Sequence, residues 1–178
     1  MLVVCLIESP LKAGFLMMQI PKLETQTAAV ESAARIKNMN EVKRVYQVST
    51  ERVDDHGSIA YCKDAEITLD TDINNRDDAF NPAELLLAAL SACIIKGIER
   101  VTPILKFQFR SLEVRVTGTR QDKPPKMESI KYEITVDTDE SDRRLDLLHE
   151  NVMKYGTVFN TLTPGSQLSG CIKRTSKL

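Results

Sequence analysis

A chain of 178 residues, 42% hydrophobic and 28% charged, has the size and makeup of one globular domain and not of a disordered segment. Its 24 Lys plus Arg against 25 Asp plus Glu leave a net charge of -1, with no basic field to hold a nucleic-acid backbone. The longest uncharged apolar stretch, Leu85 to Ile95, is eleven residues and falls short of the roughly 20 a bilayer needs, so neither nucleic acid nor membrane is an expected partner.

Four cysteines, Cys5, Cys62, Cys93 and Cys171, follow no paired spacing, and His56 and His149 are the only histidines. No zinc cage, disulfide framework or cofactor is expected, and a reducing, cytoplasmic setting fits.

The opening MLVVCLIESPLKAGFLMMQIP lacks a basic leader and a small-residue cleavage pair, so it reads poorly as a signal peptide. Met17 or Met18 stands as an alternative start. Residues 1–40 are assigned to an N-terminal extension with a short alanine-rich helix between Leu23 and Met39, and residues 41–178 to the main domain. VKRVYQVST, SIAYC and AEITLD read as a strand meander, with Asp54, Asp55 and Gly57 forming a turn.

Asn81 is a helix cap, Pro82 suits the first helical position, and Glu84 complements the N-terminal dipole. The helix that follows is apolar around most of its circumference from Leu85 to Ile95, which predicts burial on nearly all sides, and Pro103 is expected to stop it near Val101. FQFRSLEVRVTG changes parity near Arg110 and Ser111 as a bulge would, and GTRQDKPPKME connects it in a hairpin to the alternating IKYEITVD. One helix from Ser141 to about Leu162, with Leu145, Leu148, Val152, Tyr155, Phe159 and Leu162 on a stripe, precedes a closing strand SQLSGCIKR. Fold class is thus α+β: a strand meander, a central buried helix, a hairpin, a second helix and a terminal strand.

By itself, a cysteine in the middle of an apolar helix is a small hydrophobe. Cys93 lies too far from its helix start to feel the dipole, so ionising its thiol needs a cation, for which Lys96 and Arg100 project from the same side. They equally suit a solvated helix end. His149 beside Glu150 and His56 in its turn are expected to be solvated. The terminal Ser176, Lys177 and Leu178 would be a peroxisomal address in a eukaryote and carry no meaning in a bacterium.

The block AFNPAELLLAALSACI resembles the OsmC/Ohr superfamily, in which an Asn-Pro or Ser-Pro start leads an apolar helix into a cysteine at this spacing; the similarity runs from about Val42 to Lys173. That resemblance implies an OsmC-like fold in an intertwined homodimer, and a thiolate at Cys93 that attacks the O–O bond of an organic hydroperoxide in oxidative or osmotic stress defence. It further implies an arginine from the meander beside the thiolate, for which Arg52 is the candidate and Arg76 the second choice, and a thiol reductant.

The chain departs from the family pattern at two places. Where the family carries its resolving cysteine within Tyr-Cys-Thr-Val, this chain has Tyr155, Gly156, Thr157 and Val158. Glycine makes no disulfide, but it lets helices approach closely, and Cys62 and Cys171 are then the remaining thiols for that step. Where the hydroperoxide reductases place a glutamate directly after the proline stands Ala83, and Glu84 points half a turn away from Cys93. Two rival readings follow: a non-catalytic dimer holding a hydrophobic small molecule, and a purely structural remnant.

Overall fold

The computed structural model describes residues 43–175. The expected helix between Leu23 and Met39, the choice of start and the C-terminal tripeptide lie outside the described residues. Every element below belongs to the unit Gln47–Leu178.

Three antiparallel strands, β1 (Ser49–Arg52), β2 (Gly57–Cys62) and β3 (Ala65–Asp70), form the first sheet in the order β1-β2-β3. The expected first strand is longer, reaching back to Val42. The observed one begins only at Ser49, because β2 ends at Cys62 before the turn at Lys63 and offers the described residues ahead of Val48 no partner.

Helix α1 spans Pro82–Leu105. The Asn81 side chain accepts from the backbone N–H groups of Ala83 and Glu84 at 2.9 and 3.0 Å, while the Glu84 carboxylate accepts from the Asn81 N–H at 3.0 Å. This reciprocal capping box satisfies donors that a helix start otherwise leaves open. At the other end Pro103 lies inside the helix and does not stop it. Pro103 has no N–H for the Glu99 carbonyl, but the Thr102 hydroxyl donates to that carbonyl at 3.4 Å. Chain reversal comes at Lys106, in the left-handed region with φ 50°. Arg144 then donates to the carbonyls of Leu105 and Lys106 at 3.0 Å each, and its guanidinium covers the Phe107 ring.

The second sheet joins β4 (Ser111–Asp122), β5 (Pro125–Asp137) and β6 (Gln167–Arg174) in that order, with β4 and β5 antiparallel and β5 and β6 parallel. The expected bulge near Arg110 and Ser111 is instead the start of the strand, since Phe107 to Arg110 precede it. The irregularity lies at Thr119 and Arg120. Alternation along β5 turns Ile130, Tyr132, Ile134 and Val136 toward the helices and Lys131, Glu133 and Thr135 away from them.

The helix expected from Ser141 to Leu162 is two: α2 (Asp142–Tyr155) and α3 (Thr157–Leu162), broken at Gly156, whose extended φ −75°, ψ 111° cannot continue a helix. Leu145, Leu148 and Val152 of α2 meet Leu90, Ile94, Ile98 and Val101 of α1 above the β5 side chains, giving one hydrophobic core. Each such Leu or Ile contributes about 1.5–3 kcal/mol through burial. Gly97 makes the α1–α2 crossing tight: a Cβ there would lie 3.0 Å from Val152 Cγ1.

Burial of α1 on nearly all sides is not what one chain provides. Leu90, Ile94, Gly97, Ile98 and Val101 are covered, whereas Leu86, Ala89, Ala92 and Ile95 form an exposed apolar stripe on the opposite face. The apolar circumference therefore exceeds what a single sheet and α2 can cover.

Candidate functional site

Cys93 sits in the middle of α1, between the covered and exposed faces, and its thiol is half-buried and free. The α2–α3 break faces it. A Cβ placed on Gly156 would lie 3.8 Å from Cys93 Sγ, an ordinary van der Waals contact, and 3.0 Å from Phe159 Cβ. The two positions singled out in the sequence thus meet in space, with an absent side chain where a second thiol would stand.

Two cations contact Tyr155, the residue before the break. Arg100 donates to the Tyr155 carbonyl at 3.1 Å, with its guanidinium carbon 5.9 Å from the centre of the Tyr155 ring, and Lys154 Nζ lies 5.3 Å from the same centre. Lys96, one turn beyond Cys93, is exposed. Glu84 has its carboxylate in the capping box at the far end of the helix.

Arg52, at the end of β1, pairs with Asp55 in the adjoining turn, and its side chain is 66% exposed. Arg76 is held by Asp78 at 2.6 and 2.8 Å and lies over Gly57. Cys62 is exposed at the β2–β3 turn. Cys171 shares a register position with Glu133 and lines, with Arg115, Thr117 and Lys131, a groove of about 430 Å³ on the sheet face turned away from the helices. Within one chain Cys171 therefore points away from α1. No group of three or more metal-ligating side chains occurs among the described residues, and none of the described helices is long and apolar enough to cross a membrane.

The expectation that both histidines are solvated fails for His149. Its Nε2 lies 2.9 Å from the hydroxyl of the buried Tyr132, and the rings meet edge to face with centres 5.7 Å apart. Burial holds the His149 pKa below the usual histidine value, against the opposing pull of Asp146 and Glu150. Tyr132 in turn meets Phe159 edge to face at 6.1 Å, and burial pushes its hydroxyl pKa up. The i, i+3 and i, i+4 relation of His149 to Val152 and Met153 was the available signal for this placement.

His56, exposed in its turn, is bonded through Nδ1 to Asp72 at 2.6 Å, and that hydrogen bond raises its pKa. The two histidines thus couple to stability with opposite signs. For His56, protonated more readily when folded, the stabilisation is full below its unfolded pKa and is lost as pH rises through the raised folded value. For His149, which the fold keeps neutral, stabilisation is present above the unfolded pKa and is lost as pH falls. Urea titrations at pH 5.5 and 8 should show His56→Gln costing more at the lower pH and His149→Gln more at the higher. Equal costs at both pH values for either variant would contradict the assignment.

A family model described as OsmC-like protein matches residues 75–169. No curated protein matches the chain. Among solved structures, an OsmC-like protein from Mycoplasma pneumoniae superposes with TM-score 0.69 at 20% identity, covering 76% of this chain and all of that one. An organic hydroperoxide resistance protein OsmC from Legionella pneumophila gives TM-score 0.57 at 12% identity over 75% of this chain and 99% of that one. The organic hydroperoxide resistance protein OhrB of Bacillus subtilis gives 0.54 at 14% over 73% of this chain and 98% of that one. At these identities the likenesses establish the α+β fold expected from the sequence.

Proposed function

The chain belongs to the OsmC-like protein family, and from that premise we propose that it is a thiol-dependent peroxidase reducing organic hydroperoxides through Cys93. One observation carries the reading: the Cys93 thiol is free and only half-buried, in the middle of the helix that the family model covers. Two of the neighbours at low identity are named for organic hydroperoxide resistance, which agrees with it.

In this reaction the Cys93 thiolate attacks the distal oxygen of ROOH. The O–O bond breaks, sulfur is oxidised to sulfenic acid, and the alkoxide takes a proton to leave as ROH. With glycine at 156, no side chain of the α2–α3 break can close a disulfide, and an external thiol resets the sulfur. Arg52 is the cation proposed to favour the thiolate. Its exposure at the end of β1 leaves it available to a site built by two chains.

A homodimer is part of the proposal. The stripe Leu86, Ala89, Ala92 and Ile95 is too apolar to stay in water, and its alanines permit close helix contact. A cytoplasmic location goes with the requirement for a reducing supply of thiols.

Trapping with dimedone and peptide mass mapping after cumene hydroperoxide treatment tests the chemistry. The adduct should appear at Cys93 and its formation should slow about 10-fold in Arg52→Met, the scale of losing a charge-assisted interaction. Absence of any adduct at Cys93 would leave the second reading, a non-catalytic dimer binding a hydrophobic small molecule. The glycine at 156 and the capping role of Glu84 favour that alternative.

A further inference from the structure

Beyond the peroxidase reading, and independent of Cys93, we infer that the groove on the outer face of the β4-β5-β6 sheet binds small carboxylate-bearing disulfides, which Cys171 takes up as mixed disulfides. Parallel pairing of β6 with β5 sets Ser169 beside Lys131 and Cys171 beside Glu133, on the face turned away from the helices, and across β5 the partners on β4 are Thr117 and Arg115. Two rows of side chains, Thr117–Lys131–Ser169 and Arg115–Glu133–Cys171, thus line one groove of about 430 Å³. That volume lies in the range that holds a small ligand. The Cys171 thiol is free and exposed there.

Charge in the groove selects the ligand. Glu133, the register neighbour of Cys171, is bonded to Lys173 Nζ at 2.8 Å, so an ion pair stands beside the thiol and the carboxylate is offset. Arg115 donates one N–H to Glu113 at 3.0 Å, and its side chain is 70% exposed, which leaves the rest of its fork to a ligand. Lys131 makes no ion pair among the described residues, and the hydroxyls of Thr117 and Ser169 flank it. The lining therefore holds a positive charge that its own acids do not cancel. A ligand carboxylate gains from Lys131 and Arg115, and a neutral molecule does not. Cys62, the other exposed free thiol, lies in the other sheet between Tyr61 and Lys63, with Asp64 next, so its nearest charges in sequence cancel.

The exchange balances without a further oxidant. The Cys171 thiolate attacks one sulfur of RSSR, the S–S bond of the ligand breaks, and Cys171–S–S–R forms while RS− leaves and takes up the proton the thiol gave to solvent. Cys171 sulfur is oxidised and the departing sulfur reduced; a second thiol reverses the step.

The test uses the full chain, treated with the dianionic disulfide dithiodiglycolate or the neutral bis(hydroxyethyl) disulfide, and follows adducts at Cys171 and Cys62 by peptide mass mapping. Cys62 corrects for the different intrinsic reactivity of the two reagents. The Cys171-to-Cys62 rate ratio should be about 5-fold higher with the dianion than with the neutral reagent, the scale of two exposed ion pairs. That preference should shrink in Lys131→Gln and Arg115→Gln and with added salt, and Lys131→Arg should keep it. Salt acts on the unaltered protein, so a folding defect in a variant does not decide the matter. Equal ratios for the two disulfides, or a preference indifferent to salt and to Lys131→Gln, would overturn the inference. None of these outcomes depends on whether Cys93 forms a dimedone adduct, so the peroxidase reading stands or falls separately.

Discussion

Gly156→Cys is expected to turn the open sulfenic acid at Cys93 into a closed disulfide. Position 156 has an extended backbone that a cysteine adopts without strain, and its Cβ would stand 3.8 Å from Cys93 Sγ. A disulfide brings a Cβ to about 3 Å from the partner sulfur, so rotation of Cys93 about χ1 and a sub-ångström approach suffice. The tightest contact would be with Phe159 Cβ at 3.0 Å, which the short helix α3 can relieve by moving a few tenths of an ångström. With Cys5, Cys62 and Cys171 replaced by serine, treatment with one equivalent of cumene hydroperoxide should crosslink Cys93 to the thiol introduced by Gly156→Cys, as seen in non-reducing peptide maps. Dimedone trapping at Cys93 should fall by at least about 10-fold, because an adjacent thiol outcompetes an external trap through its effective concentration. Closing a loop of about 60 residues should also stabilise the oxidised form by up to about 4 kcal/mol. An undiminished dimedone adduct and no crosslink would show that the Cys93 sulfur does not face position 156.

That contact was half legible in the sequence. The NPAELLLAALSAC block and the Tyr-Gly-Thr-Val segment marked both positions, and the capping residues Asn81, Pro82 and Glu84 were readable because capping is a local matter of a few backbone donors. What stayed hidden depended on contacts between distant segments. Pro103 reads as a helix stop until the Thr102 hydroxyl is seen to take up the Glu99 carbonyl. Gly156 reads as one more position on a helical stripe until the break at ψ 111° separates α2 from α3. His149 reads as a polar-face residue until the Tyr132 hydroxyl, on a strand 17 residues earlier, is placed against it. The all-round apolarity of α1 was legible, but it described more surface than one chain covers, which is why Ile95 and Leu86 emerge exposed. Arg52, the cation proposed for Cys93, was chosen from its place in the meander, and its pairing with Asp55 in the adjoining turn became visible only in the structure.

Gly170→Ala should be among the most destabilising single-methyl additions in the molecule. In β6 Gly170 stands opposite Tyr132 of β5, and a Cβ on it would lie 2.4 Å from two carbons of the Tyr132 ring and from its carbonyl oxygen. The ring cannot swing clear, because its hydroxyl is tied to His149 at 2.9 Å and its edge to Phe159 at 6.1 Å. Moving the ring would relieve only part of the clash, since the carbonyl belongs to the strand itself. The cheaper response is for β6, an edge strand, to lift from β5, which sacrifices the parallel ladder and uncovers Leu168 and Ile172. A forced shift of this kind costs about 3 kcal/mol or more, which for a chain of this size lowers Tm by roughly 6–12 °C. Thermal unfolding followed by circular dichroism measures it. Tyr132→Leu in the same chain should recover part of the loss and never all of it, because the Cβ-to-carbonyl contact remains. A Gly170→Ala variant melting within about 2 °C of the parent would mean that β6 does not run against Tyr132 in this register.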